Sequence, residues 1–177
     1  DDALPLVGGK LAKLGEILSV VRGLGAYVPE ALSVTTEAYL RFIRENALEQ
    51  PLHALAGEID LILARPNLAE AERERLVAAR TARIVALLRS GTLDAGRGVG
   101  KEIWEAMQAK GLDHKRLAVR SSGLQEDWES AAFAGAAESY LNVEPAQALE
   151  KVVENWASFW LPRGVLYRHQ QGLRSVD

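Results

Sequence analysis

Hydrophobic residues recur every three to four positions along most of this chain, and that spacing predicts a protein built mainly from helices. The clearest case is the segment from Ala69 to Ser90, whose inward positions would be Val77, Thr81, Ile84, Val85 and Leu88. The charged residues crowded at its start are interpreted as a solvated helix face. Similar spacing predicts helices over residues 52–64 and 101–110.

Residues that favour helix ends refine this pattern. Thr35 and Thr36 are good N-cap residues for a helix from about Glu37 to Asn46. Pro145 suits the first turn of a later helix, because its missing N–H is not needed there. The apolar stripe of that helix, tryptophans included, is interpreted as core and consists of Leu149, Val152, Val153, Trp156 and Trp160. A last short helix would hold Leu166, Tyr167 and Arg168.

The glycine-rich segment 91–100 is predicted to be a flexible linker between two helices. It contains Gly91, Gly96, Gly98 and Gly100 around Arg97. A phosphate-binding loop is the alternative, but no strand precedes the segment, and its glycine spacing matches no known phosphate cradle.

Two short extended segments stand out from the helices. Residues 117–119 are predicted to be a strand that ends at Arg120, and residues 133–143 combine a glycine turn at Gly135 with a second strand. Such a strand would hold Arg120 in a fixed place, where its guanidinium could grip phosphate oxygens with two parallel hydrogen bonds. A glycine in the turn would let backbone N–H groups approach a ligand closely.

The residues that follow Arg120 leave two interpretations open. In an ordinary hairpin, Arg120 would simply pair with Glu126 or Asp127. Alternatively, Ser121 and Ser122 would add hydrogen bonds to a bound phosphate. A nucleophilic role for these serines is unsupported, because they lack the Gly-x-Ser-x-Gly turn and an identifiable activating histidine.

An N-terminal Gly-Gly-Lys provides a second candidate cation. Gly8, Gly9 and Lys10 come directly before an apolar pattern of helical spacing. A helix start carries unpaired N–H groups and a partial positive charge, and both favour a bound anion. The spacing of a P-loop is missing, so this motif by itself is weak evidence for phosphate binding.

Composition excludes several classes of function. The 177 residues carry a net charge of −3, so the chain lacks the positive field expected of a nucleic-acid-binding protein. The chain contains no run of 18 apolar residues, so no membrane span is predicted. The absence of cysteine excludes disulfides and thiolate metal sites. The three histidines are isolated and predict no metal site. With no signal-peptide pattern at its start, the chain is expected to be cytoplasmic.

Taken together, these segments resemble a known family, the N-terminal ATP-binding part of phosphoenolpyruvate synthase, pyruvate phosphate dikinase and rifampin phosphotransferase. The motifs keep the family's order and cover roughly residues 4–45 and 117–172. They are Val7-Gly-Gly-Lys10, Leu14-Gly-Glu16, Val28-Pro29, Val34-Thr-Thr-Glu-Ala-Tyr39, Val119-Arg-Ser-Ser122, Glu126-Asp127, Phe133-Ala-Gly135, Glu138-Ser-Tyr-Leu-Asn-Val143, Trp156-Ala-Ser-Phe159, Arg163 and Tyr167-Arg168. The segment between the two regions carries no recognisable motif.

The resemblance implies an α+β fold, helix-rich with a small antiparallel sheet, that forms part of an ATP-grasp fold in which two lobes clamp ATP. By matching position, Lys10 and Arg120 would hold the ATP phosphates. Gly135 would lie in a loop over those phosphates, and Ser139 would supply a hydroxyl contact to them.

The chain departs from the family pattern at Leu11 and Lys13, at Gly123-Leu124 and at Ala136. Leu124 stands where the family usually has threonine, and Ala136 replaces a glutamine. Both losses could weaken or retune the contacts to a nucleotide. A nucleotide-binding regulatory module without turnover is therefore one alternative to an enzyme, and a plain helical interaction domain is another.

The family's activity implies that ATP is cleaved and a phosphoryl group passes to a histidine on a swivelling domain. That histidine would then phosphorylate pyruvate or an antibiotic hydroxyl, with Mg²⁺ sharing the phosphate charge. Residues 1–177 would be the N-terminal portion of the nucleotide-binding domain, with possible lobes 1–115 and 116–177. The metal-binding carboxylate and the phosphohistidine domain are expected beyond this portion, so the chain alone is expected to be an inactive fragment without catalytic residues of its own.

Overall fold

Helices dominate residues 29–121 and 138–175, the part of the chain that the computed structural model describes. These residues form six α-helices, two strands and one 3-10 turn. In chain order they are α1 (Thr36–Glu45), α2 (Glu49–Leu63), α3 (Glu70–Ser90), α4 (Gly98–Ala109), β1 (Leu117–Arg120), β2 (Ser139–Val143), the 3-10 turn (Pro145–Gln147), α5 (Ala148–Ser158) and α6 (Pro162–Gln170). The predicted helix-rich α+β organisation with a small antiparallel sheet is confirmed for this part of the chain.

Helix α3 lies at the centre of the hydrophobic core, as its sequence predicts. Its five predicted inward positions are all at most 8% exposed. One side of α3 packs along α2, another packs on α5, and α6 contacts it as well. Periodicity identified this helix correctly because its apolar stripe is long enough to contact several neighbours at once.

Helix α2 begins three residues before the predicted boundary at residue 52. Its first residue is Glu49, and Pro51 lies inside its first turn. Proline is compatible with that position, because the first N–H groups of a helix have no partner within the helix. No helix of the described residues is both long and apolar enough to cross a membrane.

The segment predicted as a linker does join two helices, but only over residues 91–97, because α4 already begins at Gly98, and side chains contact the turn before it. Asn46 accepts a hydrogen bond from the Thr92 N–H at 2.9 Å and donates to the Thr92 carbonyl at 3.3 Å. The Glu45 carboxylate accepts from the N–H of Val99 at 3.1 Å. A carboxylate of the chain itself therefore caps α4 where the alternative reading would have placed a phosphate.

Gly98 and Gly100 are needed for this close approach of α1, the turn and α4. Gly98 has a φ of +56°, which glycine adopts without strain, and a side chain there would collide with Glu45. A Cβ at Gly100 would lie 2.6 Å from the backbone N and O atoms of Asp94. The glycine cluster thus permits close packing of these elements.

A matched pair of helical glycines tests this conclusion. Alanine at Gly57 in α2 would meet no atom within 4 Å, so Gly57→Ala should raise the free energy of unfolding by about 0.5–1 kcal/mol through better helix propensity. Gly100→Ala should instead lower it by about 1–3 kcal/mol, because the backbone of Asp94 cannot move aside cheaply. Urea denaturation of both variants is the measurement, and equal effects of the same sign would contradict the packing argument.

Candidate functional site

The two strands form an antiparallel ribbon, and two of the predicted phosphate-binding residues lie at the end where β1 finishes and β2 begins. The register pairs Leu117 with Val143, Val119 with Tyr140, and Arg120 with Ser139. Residues directly opposite each other in such a ribbon point to the same face, with Cβ atoms about 4.5–5.5 Å apart. Arg120 and Ser139 are both exposed, so a guanidinium and a hydroxyl emerge together at this end.

A β-bulge in β2 determines this register. Between the first two pairs, β1 advances by two residues and β2 by three, and the irregularity includes Asn142, which has a φ of 58°. Asparagine tolerates this left-handed conformation better than most residues. Because of the extra residue, Val143 is buried and Tyr140 is half-buried, while Leu141 between them is 72% exposed. Without the bulge, residues three apart would point to opposite faces of the strand.

The far end of the ribbon is held by Arg116. Its Nη1 donates to the carbonyl of Asn142 at 3.1 Å, and its guanidinium forms an ion pair with Glu144. Arg116 and Arg120 therefore stand at opposite ends of β1. Arg116 has partners within the ribbon, whereas the register pairs Arg120 with the hydroxyl-bearing Ser139.

Tyr140 occupies the protected face behind this ribbon end. Its hydroxyl donates to Oε2 of Glu138 at 3.0 Å, and Nζ of Lys151 lies 5.6 Å from its ring centre. Burial, followed by the hydrogen bond and charge of Glu138, raises the pKa of Tyr140 to about 12. The phenol is therefore neutral at physiological pH and acts as a hydrogen-bond donor.

Only one of the other predicted site residues lies in the described part of the chain. Ser121 directly follows β1 and is the last described residue before the gap in the described chain. Lys10, Ser122 and Gly135 lie outside the described residues, as do Glu126 and Asp127, the alternative partners of Arg120. The convergence of Lys10 and Arg120 on one anion therefore stays a prediction, and so does the alternative ion pair.

No cluster of three or more His, Cys, Asp or Glu residues within ranges 29–121 and 138–175 has the geometry of a metal site. The ribbon end combines a full positive charge with a hydroxyl donor, and this combination suits an anion.

Aromatic residues of the C-terminal helices belong to the core, as predicted. Trp156 packs edge-on against Tyr39 with ring centres 5.4 Å apart, and against Phe42 at 5.2 Å. Trp160 donates its indole N–H to the Tyr39 hydroxyl at 3.2 Å. The Arg168 guanidinium lies 5.6 Å from the Trp160 ring centre, and burial lowers its pKa from the usual value. This cluster ties α1 to α5 and α6.

The fold and this ribbon end define a helix-rich α+β domain with a candidate anion site, and comparison with known proteins identifies its family. Residues 4–177 match the family model described as "Pyruvate phosphate dikinase, AMP/ATP-binding domain". The chain belongs to this family. No solved structure is significantly similar to it.

Relatives with curated names agree with this assignment. The chain is 38% identical to phosphoenolpyruvate synthase of Aeropyrum pernix over 99% of its own length and 21% of that protein. It is 33% identical to the phosphoenolpyruvate synthases of Synechocystis sp. and Pyrococcus furiosus, over 94% and 96% of its length and 20% and 23% of theirs. The chain thus spans about a fifth of the length of the curated relatives it matches.

The raised pKa of Tyr140 predicts a specific alkaline sensitivity. Because the folded state favours the neutral phenol, the stability from this group is fully present below its unfolded pKa of about 10 and is lost as the pH rises toward about 12. Tyr140→Phe should remove this loss, so the unfolding free energies of the two proteins should converge or cross within that window. Denaturant unfolding at about pH 9 and about pH 11.5 measures this, and parallel pH dependences would contradict it.

Proposed function

We propose that this chain is the ATP-binding part of a dikinase-type phosphotransferase and that its ribbon end contacts the ATP phosphates. The observation that carries the proposal is the pairing of Arg120 with Ser139 on one exposed face. A planar guanidinium can bind two phosphate oxygens with parallel hydrogen bonds, and a neighbouring hydroxyl can serve a third. Family membership adds that the anion is a nucleotide.

The remaining contacts would come from Ser121, which directly follows β1, and from residues outside the described ranges. Lys10 would add a second positive charge, and Ser121 and Ser122 would add hydroxyls where the chain leaves β1. Gly135 would let the returning chain bring its N–H groups close to the phosphates without a side chain in the way. In the sequence, Ser121, Ser122 and Gly135 fall between the two strands, whose ends pair at Arg120 and Ser139.

The fold proposed for the complete nucleotide site is ATP-grasp, with a second lobe closing over ATP from sequence outside these 177 residues. The exposed face of the ribbon suits such a clamp, because it presents Leu141, a large apolar side chain that is 72% exposed, beside the Arg120 and Ser139 pair. Apolar contact and phosphate hydrogen bonds would then occur on the same surface.

In the proposed reaction, ATP is cleaved and a phosphoryl group passes to a histidine on a swivelling domain of the complete protein, and then to pyruvate. Phosphoryl transfer needs mainly positioning and neutralisation of charge. Arg120 and Lys10 would supply both by fixing the oxygens of the transferred group and by balancing their charge. Mg²⁺, when bound, would share this neutralisation. The names of the relatives favour pyruvate over an antibiotic hydroxyl as acceptor.

A regulatory nucleotide-binding module is the second candidate. It is favoured by the departures at Leu124 and Ala136, which remove a hydroxyl and an amide from the region expected to surround the phosphates. This module would keep the phosphate contacts of Arg120 but would not turn ATP over.

Substitution of Arg120 tests phosphate binding. In the full-length protein, Arg120→Ala should weaken ATP binding about 10- to 100-fold, because charge-assisted hydrogen bonds contribute about 1.5–3 kcal/mol. Arg120→Lys should fall between this variant and the wild type, since it keeps the charge but loses the fork. Isothermal titration gives the affinities, and Arg116→Ala at the other end of β1 is the matched control. Equal affinities of Arg120→Ala and wild type would refute the site.

Product analysis separates the enzyme from the regulatory module. The full-length protein, supplied with ATP, Mg²⁺ and pyruvate, should release AMP and orthophosphate and form phosphoenolpyruvate, because water would accept the second phosphoryl group. Lys10→Ala and Arg120→Ala should each lose most of this activity while keeping a wild-type circular dichroism spectrum. Tight ATP binding without AMP release would identify the regulatory module instead.

A further inference from the structure

The residue immediately before β2 is held by two buried polar side chains of α5. Nδ2 of Asn155 donates to the Glu138 carbonyl at 2.6 Å, and Oγ of Ser158 accepts from the Glu138 N–H at 3.0 Å. The same Ser158 hydroxyl donates its proton to the Asn155 carbonyl at 2.7 Å. Both backbone polar groups of Glu138 therefore bind α5, and we call this arrangement the Glu138 clamp.

Burial makes the clamp energetically significant. Asn155 is 7% exposed and Ser158 is 4% exposed. Among the described residues, only one other polar side chain, that of Thr81, is buried to this degree. A buried polar group destabilises the fold unless it has a hydrogen-bond partner, so each member of the clamp depends on the others.

The clamp lies next to the candidate phosphate contact. Glu138 directly precedes Ser139, and the register sets Ser139 opposite Arg120. Helix α5 is itself braced, because Arg89 of α3 binds both carboxylate oxygens of Glu154 at 2.8–3.1 Å. Polar contacts therefore join the core helix α3 to α5, and other polar contacts join α5 to the residue that precedes β2.

We propose that Asn155 and Ser158 are positioning residues of the ATP site, which fix the start of β2 so that Ser139 and Arg120 are aligned before ATP binds. This inference depends on the proposed function. Neither side chain would touch the nucleotide. Their contribution would be preorganisation, because a strand end that is already fixed loses less freedom when the ligand binds.

Two buried hydroxyl deletions distinguish positioning from a general contribution to stability. Ser158→Ala removes the acceptor of the Glu138 N–H, whereas Thr81→Val removes a buried hydroxyl that donates only to the Ala78 carbonyl within α3. Both variants should melt at a lower temperature. In the full-length protein, ATP affinity should fall about three- to tenfold in Ser158→Ala and change less than about twofold in Thr81→Val.

Further variants keep the test independent of any single substitution. Asn155→Asp conserves size but replaces the donor with an acceptor facing the Glu138 carbonyl, and it should weaken ATP binding as Ser158→Ala does. Ser158→Thr keeps the hydroxyl and should retain most of the affinity for ATP.

Hydrogen exchange tests the same inference without any substitution. In the unsubstituted protein, saturating ATP should slow hydrogen exchange at the Glu138 amide more than at Val85 in α3.

The outcomes separate the two proposals. If Arg120→Ala weakens ATP binding while Ser158→Ala and Asn155→Asp bind as the wild type does, the positioning role is wrong and the phosphate site remains. The same conclusion follows if ATP leaves exchange at Glu138 unchanged. If Arg120→Ala has no effect, the proposed function fails, and with it the inference.

Discussion

Helix α5 makes the contacts on which the rest of this structure depends, because it packs on α3 on one side and on both strands on the other. A two-stranded ribbon alone is only marginally stable in water, so β1 and β2 require a supporting surface. From the ribbon, Leu117 packs against the hydrophobic core and Val143 is buried. The support comes from a helix that is itself fixed to the core, so the ribbon end has a defined position relative to the whole helical part.

In the helical part, a few close backbone contacts and ion pairs set how the helices lie against one another. Glu45 caps α4 from α1, and Arg41 of α1 donates to both oxygens of Glu102 in α4 at 2.7 Å, which lowers the pKa of that carboxyl. The glycines of the turn allow these elements to meet without side chains between them. Exposed ion pairs of this kind contribute little energy, so their main effect is to orient helices that hydrophobic contacts already hold together.

These features are compatible with the binding of nucleotide phosphates by a slightly acidic chain. A net charge of −3 gives no general attraction for phosphate, so binding would depend on a few positive groups in fixed places. The ribbon presents Arg120 beside Ser139 at the end where β1 finishes and β2 begins, whereas Arg116 at the other end contacts Asn142 and Glu144. Membership of the AMP/ATP-binding domain family of pyruvate phosphate dikinase is consistent with a phosphate contact at Arg120 and a structural contact at Arg116.

The sequence by itself determined the helices with long apolar stripes, above all α3, because helical periodicity is a local property that its own residues encode. It also identified the small sheet and proposed Arg120 and Ser139. Only the tertiary structure decided the bulge at Asn142 that sets these two residues opposite each other, the capping of α4 by Glu45, and the hold of Asn155 and Ser158 on Glu138. Each of these joins residues far enough apart in the chain that no local pattern specifies it, and each depends on how neighbouring elements pack.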